Sequence, residues 1–527
     1  MPGPETVRAF TLEIGLGALL LLVFVANLGV RGGDRRVIGW IASGGVLILA
    51  LTSFLVRPAP PALGGMFVQD GLAIFAKRLF LVATFIGLLA SLSNVQPAFV
   101  RRAGEYHLLI LSSLLGMFVL ASARDLILLF VAFELMSIPL YVLAGFLKRQ
   151  EEAVEAALKF FLVGSVSSAL LVYGLSFVYG AVRSTDLATV ARASTAAQPL
   201  LTLGLVTAFA GFGFKIAAFP FHMWVPDTYE AASTPFVAWL SVAPKAAGFV
   251  ALFRVYLEGA GDRAATWIPL AAGLATLTIV GGNLMALPQQ NTKRLLAYSG
   301  IAHIGYMLVG FAAASASGVA MVLFYLVTYV FGNMGAFLVV EALARAEGSE
   351  ATTAFRGLAQ RSPLLALAML IFLLSLGGEI AQRAAAHAVL LTLDLEHPVE
   401  KASDLHEQPA LGVREARLEC LGEEGGDDLI EDGVAELFLA LEVVVEVALA
   451  DAALAEHVVE RRVVVAVHVD QAARRLENRL ARRPPATSLG PARCRLRGHL
   501  YQPVGTYSSF GDPERQQIAS SFTISAT

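Results

Sequence analysis

Charged residues are scarce in this 527-residue sequence. Asp, Glu, Lys and Arg make up 15% of it, whereas soluble proteins contain about 25%. Hydrophobic residues make up 56%, and the mean hydropathy is +0.67. This composition excludes an ordinary soluble protein and indicates a chain that crosses a membrane several times. The net charge of -3 is too small to indicate a nucleic-acid partner.

Cysteine is almost absent. Only Cys420 and Cys494 occur, and neither belongs to a CxxC pair or to a Cys/His spacing typical of metal ligands. The sequence also lacks a Gly-rich phosphate loop and a Ser/His/Asp arrangement, so nothing indicates a nucleotide, flavin or iron–sulfur site in this chain. Moving one charge across a membrane costs about 2.3 kcal/mol per 100 mV. The energy for such transport must therefore come from another protein.

Apolar runs of about 20 residues, long enough to cross a bilayer of about 30 Å, recur along residues 1–378. The first run is too long for a signal-peptide core and lacks a clear cleavage motif, so we interpret it as a retained span. The pattern predicts eleven full spans and a short twelfth: Phe10–Val30, Val37–Leu55, Leu72–Leu92, Tyr106–Ala123, Leu126–Leu147, Ala156–Tyr179, Leu201–Phe221, Pro235–Tyr256, Trp267–Leu287, Leu295–Ala313, Val319–Val340 and Leu364–Gly378.

The basic residues at the ends of these spans predict an orientation. If the N-terminus lies outside the cell, thirteen Lys and Arg residues lie on the inner side and nine on the outer side. Lys and Arg are enriched in cytoplasmic loops. The distribution therefore favours an outside N-terminus.

The sequence changes character at Glu379. From there to Leu500 the only aromatic residue is Phe438 and the only lysine is Lys401, and residues 379–527 hold 24 of the 42 acidic residues. A soluble domain normally buries several aromatic side chains. We therefore predict two parts, a membrane domain of about twelve helices at 1–378 and an atypical tail at 379–527 that is frameshift-derived or disordered. A genuine tail of unknown role is the alternative.

The most informative stretch is Gly211–Asp227, which places a lysine near the end of an apolar run. A lysine at the centre of a membrane helix costs about 2.5–3.5 kcal/mol on insertion scales, so Lys215 indicates ion or proton movement. Gly211 and Gly213 before it, with Pro220 after it, predict an interrupted helix. The free carbonyl groups of such a break, together with water, hydrate the charge.

Glu134 lies about 12 Å into its span, with apolar residues on both sides. A carboxyl group at that depth is protonated or paired. Desolvation lowers the pKa of a lysine and an approaching carboxylate raises it, so a pair of Glu134 and Lys215 can capture and release a proton as their separation changes. The alternatives are a static salt bridge between two helices and a Glu134 that lies near the lipid headgroups.

Four further residues are candidates for the same chemistry. Lys245 lies mid-span after Pro244 and offers a second stop for a proton, unless its ammonium group reaches the membrane surface. His303 has a reference pKa near 6.5 and can pass protons between lysines, although a structural histidine fits equally. His222 at the cytoplasmic mouth and Lys159 near the start of its span are additional candidates, with a loop histidine and a surface-reaching lysine as the alternatives.

Four segments carry a resemblance to a known family. They begin at Glu134, Phe214, Ser241 and Lys293 and read ELMSIPLYVL, FKIAAFPFHMWVPD, SVAPKAAG and KRLLAYS. Over roughly residues 5–378 the chain resembles subunit N of the proton-pumping NADH:quinone oxidoreductase, respiratory complex I. Subunits L and M and the sodium/proton antiporter subunits share the carboxylate and the lysine before Phe-Pro-Phe-His. The sequence around Lys245 resembles subunit N more closely.

The resemblance implies an all-α polytopic membrane fold of antiporter-like inverted five-helix repeats with broken helices. It also implies a proton path through Glu134, Lys215, Lys245 and His303, and an exit lysine on a broken twelfth helix. NAD, FMN, iron–sulfur clusters and quinone would lie in partner subunits, with no cofactor in this chain. The implied partners are the other membrane subunits of complex I, in a bacterial inner membrane.

The sequence departs from the family pattern after the twelfth span begins. The family continues with a proline-containing break, a lysine and two further helices, whereas this chain continues from Glu379 without them. Lys401 lies in a polar context, and the guanidinium group of Arg383 stays protonated, so neither replaces the exit lysine. We predict a truncated second repeat and no vectorial pumping by the chain as written.

These observations together favour a proton-translocating subunit of a NADH:quinone oxidoreductase. Quinone reduction in partner subunits would drive it, and the chain itself would carry no redox chemistry. Two alternatives stay open, a subunit of a multi-chain sodium/proton antiporter and a non-functional truncated membrane protein.

Overall fold

The computed structural model describes residues 8–30, 35–94, 97–148, 150–193 and 198–377. The predicted tail at 379–527 lies outside these ranges, and so do Gly378, Arg383 and Lys401.

The described chain is almost entirely helical, as its hydrophobic pattern predicts. Its α-helices are α1 Thr11–Gly29, α2 Arg36–Ser53, α3 Gly71–Leu92, α4 Pro97–Val100, α5 Ala103–Ser122, α6 Leu126–Ala144, α7 Glu151–Val182, α8 Leu187–Ala191, α9 Gln198–Ile216, α10 Trp224–Ala231, α11 Thr234–Leu240, α12 Ala243–Leu252, α13 Ala264–Ala286, α14 Thr292–Ala312, α15 Ala316–Glu347, α16 Leu358–Arg361 and α17 Pro363–Leu376.

Eleven helical stretches within the described ranges are long and apolar enough to cross a membrane, and the apolar helix α17 is shorter. By length and hydropathy, these helices match in number the eleven full spans and the short twelfth that the sequence predicts. A small antiparallel hairpin, β1 Ala59–Ala62 and β2 Phe67–Gln69, follows α2 and is the exception to the helical pattern in the part of the chain described.

The stretch Thr234–Glu258 forms the centre of the membrane domain, and its apolar window is completely buried. It packs against α3, α5, α9 and α15. The stretch is broken, because Pro244 has no N–H group to continue the ladder of α11 and because the backbone leaves helical geometry at Val242. Its last turn, Phe253–Glu258, is π-helical. The break places Lys245 in the first turn of α12.

Gly116 on α5 allows a close approach to α6. A Cβ on Gly116 would lie 2.3 Å from the backbone nitrogen of Met136. The hydroxyl group of Ser113, one turn earlier, donates a hydrogen bond of 2.8 Å to the Met136 carbonyl. The contact at Met136 lies two residues from Glu134 and fixes this part of α6 against α5.

We expect Gly116→Ala to destabilise the protein by about 1–3 kcal/mol, because the added methyl group fits only if two helix backbones move apart. The measurement is the thermal unfolding midpoint of purified protein in detergent. Gly17→Ala is the matched control: a Cβ at Gly17 meets nothing within 4 Å, and alanine is favoured over glycine in a helix by about 0.5–1 kcal/mol. A midpoint for Gly116→Ala at or above that of the unmodified protein would contradict the close contact.

Candidate functional site

Lys215 is buried near the end of α9 and points its ammonium group at α6. Its Nζ donates a hydrogen bond of 2.8 Å to Ser137 Oγ, and Ser137 Oγ donates in turn to the Phe133 carbonyl at 2.5 Å. The Phe133 ring centroid lies 5.2 Å from Nζ. A hydroxyl group and an aromatic face therefore surround this charge, which suits a group that gains and loses a proton.

The helix break lies after Lys215 and not at the glycines before it. Helix α9 runs without interruption through Gly211 and Gly213, and the chain leaves it at Ala217, whose φ is +65°. The predicted interruption is therefore present, on the Pro220 side of Lys215. Gly211 instead permits close packing, because a Cβ there would lie 2.9 Å from Leu171 Cα on α7. The interruption that does occur separates α9 from α10.

Glu134 lies half-buried on α6, one turn from Ser137. Its Oε1 accepts a hydrogen bond of 2.5 Å from Ser168 Oγ on α7. Although both residues are described, no ion pair joins Glu134 to Lys215. Each charged group contacts a serine hydroxyl instead. The geometry thus lacks the static salt bridge that the sequence left open, and it leaves both groups able to change partners.

Lys245 is buried in the first turn of α12. Its Nζ lies 5.4 Å from the centroid of the Tyr229 ring. Within the described ranges, Nζ has no hydrogen-bond partner. A membrane-surface position for this lysine is excluded by its burial. Burying an ammonium group without a hydrogen bond is unfavourable. The protonated form of Lys245 must therefore donate a hydrogen bond to a neighbouring group or to water.

Lys215 and Lys245 line the same small cavity. The other lining residues are apolar or aromatic: Leu140, Phe160, Trp224, Leu240 and Pro244. This space is too tight to hold a water molecule. The two lysines therefore border one tight and mainly apolar space.

His303 is buried on α14, close to α15. Its Nδ1 lies 2.5 Å from the hydroxyl oxygen of Tyr325. The Tyr329 ring centroid lies 5.3 Å from that of His303. Two tyrosines from one helix therefore surround the imidazole ring.

His222 lies in the turn between α9 and α10, buried, with its ring stacked on Phe219 at 4.9 Å. Burial lowers the pKa of His222, and a hydrogen bond with the Pro220 carbonyl only partly opposes this shift. The imidazole is therefore neutral at pH 7. A neutral imidazole can accept a proton at this mouth of the domain.

Lys159 lies apart from the buried lysines, and its side chain is 48% exposed. It forms ion pairs of 2.9 Å with Asp227 and with Glu155. Arg294 bonds the other Asp227 oxygen at 2.8 Å. Burial raises the pKa of Asp227, but hydrogen bonds from Lys159 and Arg294 outweigh it and hold the pKa below its ordinary value. Asp227 thus ties together α7, α10 and α14 beside His222.

Comparison with known proteins places this geometry in a family. Residues 123–379 match a family described as NADH:quinone oxidoreductase/Mrp antiporter, TM, and that range contains all six candidate residues. Subunit N of the NADH-quinone oxidoreductase of Moorella thermoacetica is 43% identical over 375 residues, which cover 71% of this chain and 78% of that protein. This chain belongs to the subunit N family. The resemblance carried by the four sequence segments is confirmed.

Solved structures agree with membership of the subunit N family. Respiratory complex I from Thermus thermophilus with bound aureothin contains a chain that is 33% identical, with a TM-score of 0.59, covering 72% of this chain and 83% of that one. A chain of the Mrp complex from a Dietzia species is 21% identical, with a TM-score of 0.55, covering 74% and 78%. The second match shows a shared fold alone. The predicted antiporter-like fold is confirmed.

The structure adds residues that sequence reasoning did not single out in this subunit N family member. Ser137 and Ser168 contact Lys215 and Glu134, but single serines in an apolar helix give no signal in a sequence. A sequence signal does exist for three polar residues that recur at intervals of four and so share one face of α15, namely Tyr325, Tyr329 and Asn333. In the described ranges, no group of three or more His, Cys, Asp and Glu side chains could hold a metal ion.

Proposed function

We propose that this chain is a proton-translocating membrane subunit of a NADH:quinone oxidoreductase. The observation that carries the proposal is the pair of buried lysines, Lys215 and Lys245, that line one cavity in a fold of the subunit N family. Ionisable groups inside membrane proteins typically mark ion and proton pathways. In this proposal NAD, FMN, iron–sulfur clusters and quinone belong to partner subunits, where quinone reduction supplies the energy.

The first transfer takes place between the His222 mouth and Lys215. The neutral imidazole of His222 accepts a proton from the cytoplasm, and Lys215 is the next basic group inward. Approach of the Glu134 carboxylate from Ser168 stabilises the protonated ammonium group, and its withdrawal favours release. For this step Glu134 must leave Ser168, which it contacts at 2.5 Å, and Lys215 must leave Ser137, which it contacts at 2.8 Å.

The second transfer crosses the tight apolar space that both lysines line. A proton cannot hop through apolar side chains, so this space must widen and admit water before Lys215 can pass its proton to Lys245. Leu140 and Leu240 are the aliphatic residues of the lining. Their displacement therefore gates the relay, and His303 is the next group beyond Lys245.

The partners in this proposal are the other membrane subunits of complex I. The chain lies in a bacterial inner membrane with its N-terminus outside, as the distribution of Lys and Arg predicts. Lys159 contributes through the Asp227 cluster, which holds the helices around the His222 mouth together.

The proposal is tested in a completed subunit, defined as residues 1–378 of this chain followed by the C-terminal helices of the Moorella thermoacetica subunit. Inverted membrane vesicles carry it as their sole subunit N. We expect NADH oxidation with added quinone to drive proton uptake that does not depend on sodium, and we expect the chain as written to drive none. Vesicles given NADH without quinone are the control.

Three outcomes would contradict parts of this account. Proton uptake driven by a sodium gradient, without quinone reduction, would favour the antiporter alternative, for which the Mrp likeness offers only a shared fold. Failure of the completed subunit to enter the complex would favour the non-functional alternative. Equal pumping by the chain as written would show that the predicted tail and truncated second repeat are wrong.

A further inference from the structure

A polar stripe runs along α15 where it faces the buried lysine and histidine. Tyr325, Tyr329 and Asn333 are spaced four residues apart and lie on one side of the helix. Tyr325 contacts His303 at 2.5 Å, and Asn333 Nδ2 donates a hydrogen bond of 2.7 Å to Ser241 Oγ, one residue from the break before α12. Tyr329 lies between these two contacts and is 2% exposed.

The hydroxyl group of Tyr329 is unused by the fold. It is buried and has no hydrogen-bond partner among the described residues. A buried hydroxyl group left unpaired costs about 1–3 kcal/mol, so a polar partner that comes within reach stabilises it. Lys245 Nζ is unpaired in the same way.

Gly300 brings these two unpaired groups together. A Cβ on Gly300 would lie 2.8 Å from the Tyr329 hydroxyl oxygen and 3.5 Å from Lys245 Nζ. The hydroxyl and the ammonium group therefore approach the same bare Cα of α14. His303 lies three residues further along α14, and its ring centroid is 5.3 Å from that of Tyr329.

We propose that the Tyr329 hydroxyl carries protons between Lys245 and His303, with Gly300 as the positioning residue that lets them meet. The step rests on the proposed function above. When the Tyr329 hydroxyl moves into hydrogen-bond distance of both groups, Lys245 gives one N–H proton to the phenol oxygen while the phenol O–H proton passes to a lone pair of the imidazole. Lysine ends neutral, tyrosine is unchanged, and histidine ends as imidazolium. The step uses the tautomer in which Nδ1–H donates to the Tyr325 hydroxyl oxygen, because Nε2 then holds the lone pair that receives the proton.

Hydroxyl groups suit this transfer because one oxygen donates and accepts at the same time. Lys245 and His303 lie on different described helices, α12 and α14, and no hydrogen bond joins their side chains. The tyrosine thus converts two separate basic groups into one path.

Tyr329→Phe in the completed subunit tests the assignment. We expect quinone-driven proton uptake to fall by about a hundredfold or more, the lower end of what loss of a proton-transfer group produces. Thermal stability should stay the same or rise, because phenylalanine removes a buried hydroxyl group that has no partner among the described residues. Tyr306→Phe is the matched control. Tyr306 lies on the same helix as His303 at a ring distance of 5.9 Å, but its hydroxyl bonds Asn283 and its side chain is 43% exposed. That variant should pump normally.

A second variant separates proton transfer from packing. Tyr329→3,5-difluorotyrosine keeps the ring and the hydroxyl but makes the phenol more acidic, so the pH profile of proton uptake should shift to lower pH. Normal uptake by Tyr329→Phe, or an unshifted profile for the fluorinated protein, would overturn the inference while leaving the proposed function standing. Absence of uptake by the unmodified completed subunit would instead overturn the proposed function, and the inference with it.

Discussion

Replacing Lys215 with methionine should abolish quinone-driven proton uptake by the completed subunit, to about a hundredfold below the unmodified level or less. Lys215 is the only basic group that both contacts the Glu134 helix, through Ser137, and lines the cavity shared with Lys245 among the described residues. Methionine fills similar space but cannot bind a proton. The measurement is the ratio of protons taken up to NADH oxidised in inverted vesicles.

Two further variants decide between a moving proton and a fixed charge at this position. Lys215→Arg keeps the positive charge but does not release its proton, so it should fail like methionine. Lys148→Met removes the same charge from an exposed position and should leave uptake unchanged. Normal pumping by Lys215→Arg would mean that the charge only holds α9 and α6 together.

The membrane spans could be predicted from the sequence because their signal depends on length and hydropathy alone. The costly charges could be predicted for the same reason. Glu134, Lys215 and Lys245 stand out against apolar surroundings, and each lies within the helix where the pattern places it. Local signals therefore suffice for the spans and for the ionisable residues.

The contacts of these residues could not be predicted in the same way. Gly211, Gly213 and Pro220 together predict an interrupted helix, but they do not show on which side of Lys215 the break lies. It lies on the Pro220 side, and the two glycines serve close packing against α7 and the Phe221 ring. Whether a glycine breaks a helix or admits a neighbour depends on what packs beside it. That information resides in the tertiary structure.

The position of Tyr329 illustrates the same limit. Tyrosine is common in membrane helices and adds little to the free energy of membrane insertion, so a single tyrosine does not indicate a functional site. Its role emerges only when Gly300 on a different helix leaves room for its hydroxyl beside Lys245. The proposed relay thus combines residues of α12, α14 and α15 that are distant in sequence.

The central helix that carries Lys245 is held at its far end by a buried arginine. Arg254 is completely buried in the π-helical turn Phe253–Glu258. Its guanidinium group makes two parallel bonds to Asp70, of 2.6 Å and 2.7 Å, pairs with Glu258, and donates to the Ala121 carbonyl. Asp70 also caps α3 by accepting from the Ala73 N–H group at 2.9 Å. One side chain therefore joins the central stretch to α3 and α5.

The charge state of Asp70 follows from this contact. Burial raises the pKa of Asp70, but the hydrogen bonds and the charge of Arg254 outweigh it and hold the pKa below the ordinary 3.8. A carboxyl group with a lowered folded-state pKa contributes stability above the unfolded-state pKa. The contribution is therefore complete at pH 7 and is lost only as the pH falls below 3.8.

Arg254→Met should destabilise the protein by about 3 kcal/mol, because it leaves Asp70 and Glu258 without their buried partner. The value lies at the lower end for buried pairs, since Asp70 is 35% exposed. The thermal unfolding midpoint in detergent should drop clearly, and proton uptake with it, as the Lys245 helix loses its anchor.

Arg124→Met is the matched control for the anchor. Arg124 is 38% exposed, and among the described residues its side chain bonds Glu258 alone, at 2.9 Å. Its loss should therefore cost under about 1 kcal/mol. Adding Asp70→Asn to Arg254→Met removes the unpaired carboxylate and should restore part of the lost stability. If Arg254→Met unfolds at the unmodified temperature, the anchor does not hold the central helix. The position of Lys245 would then depend on apolar packing and the helix break alone.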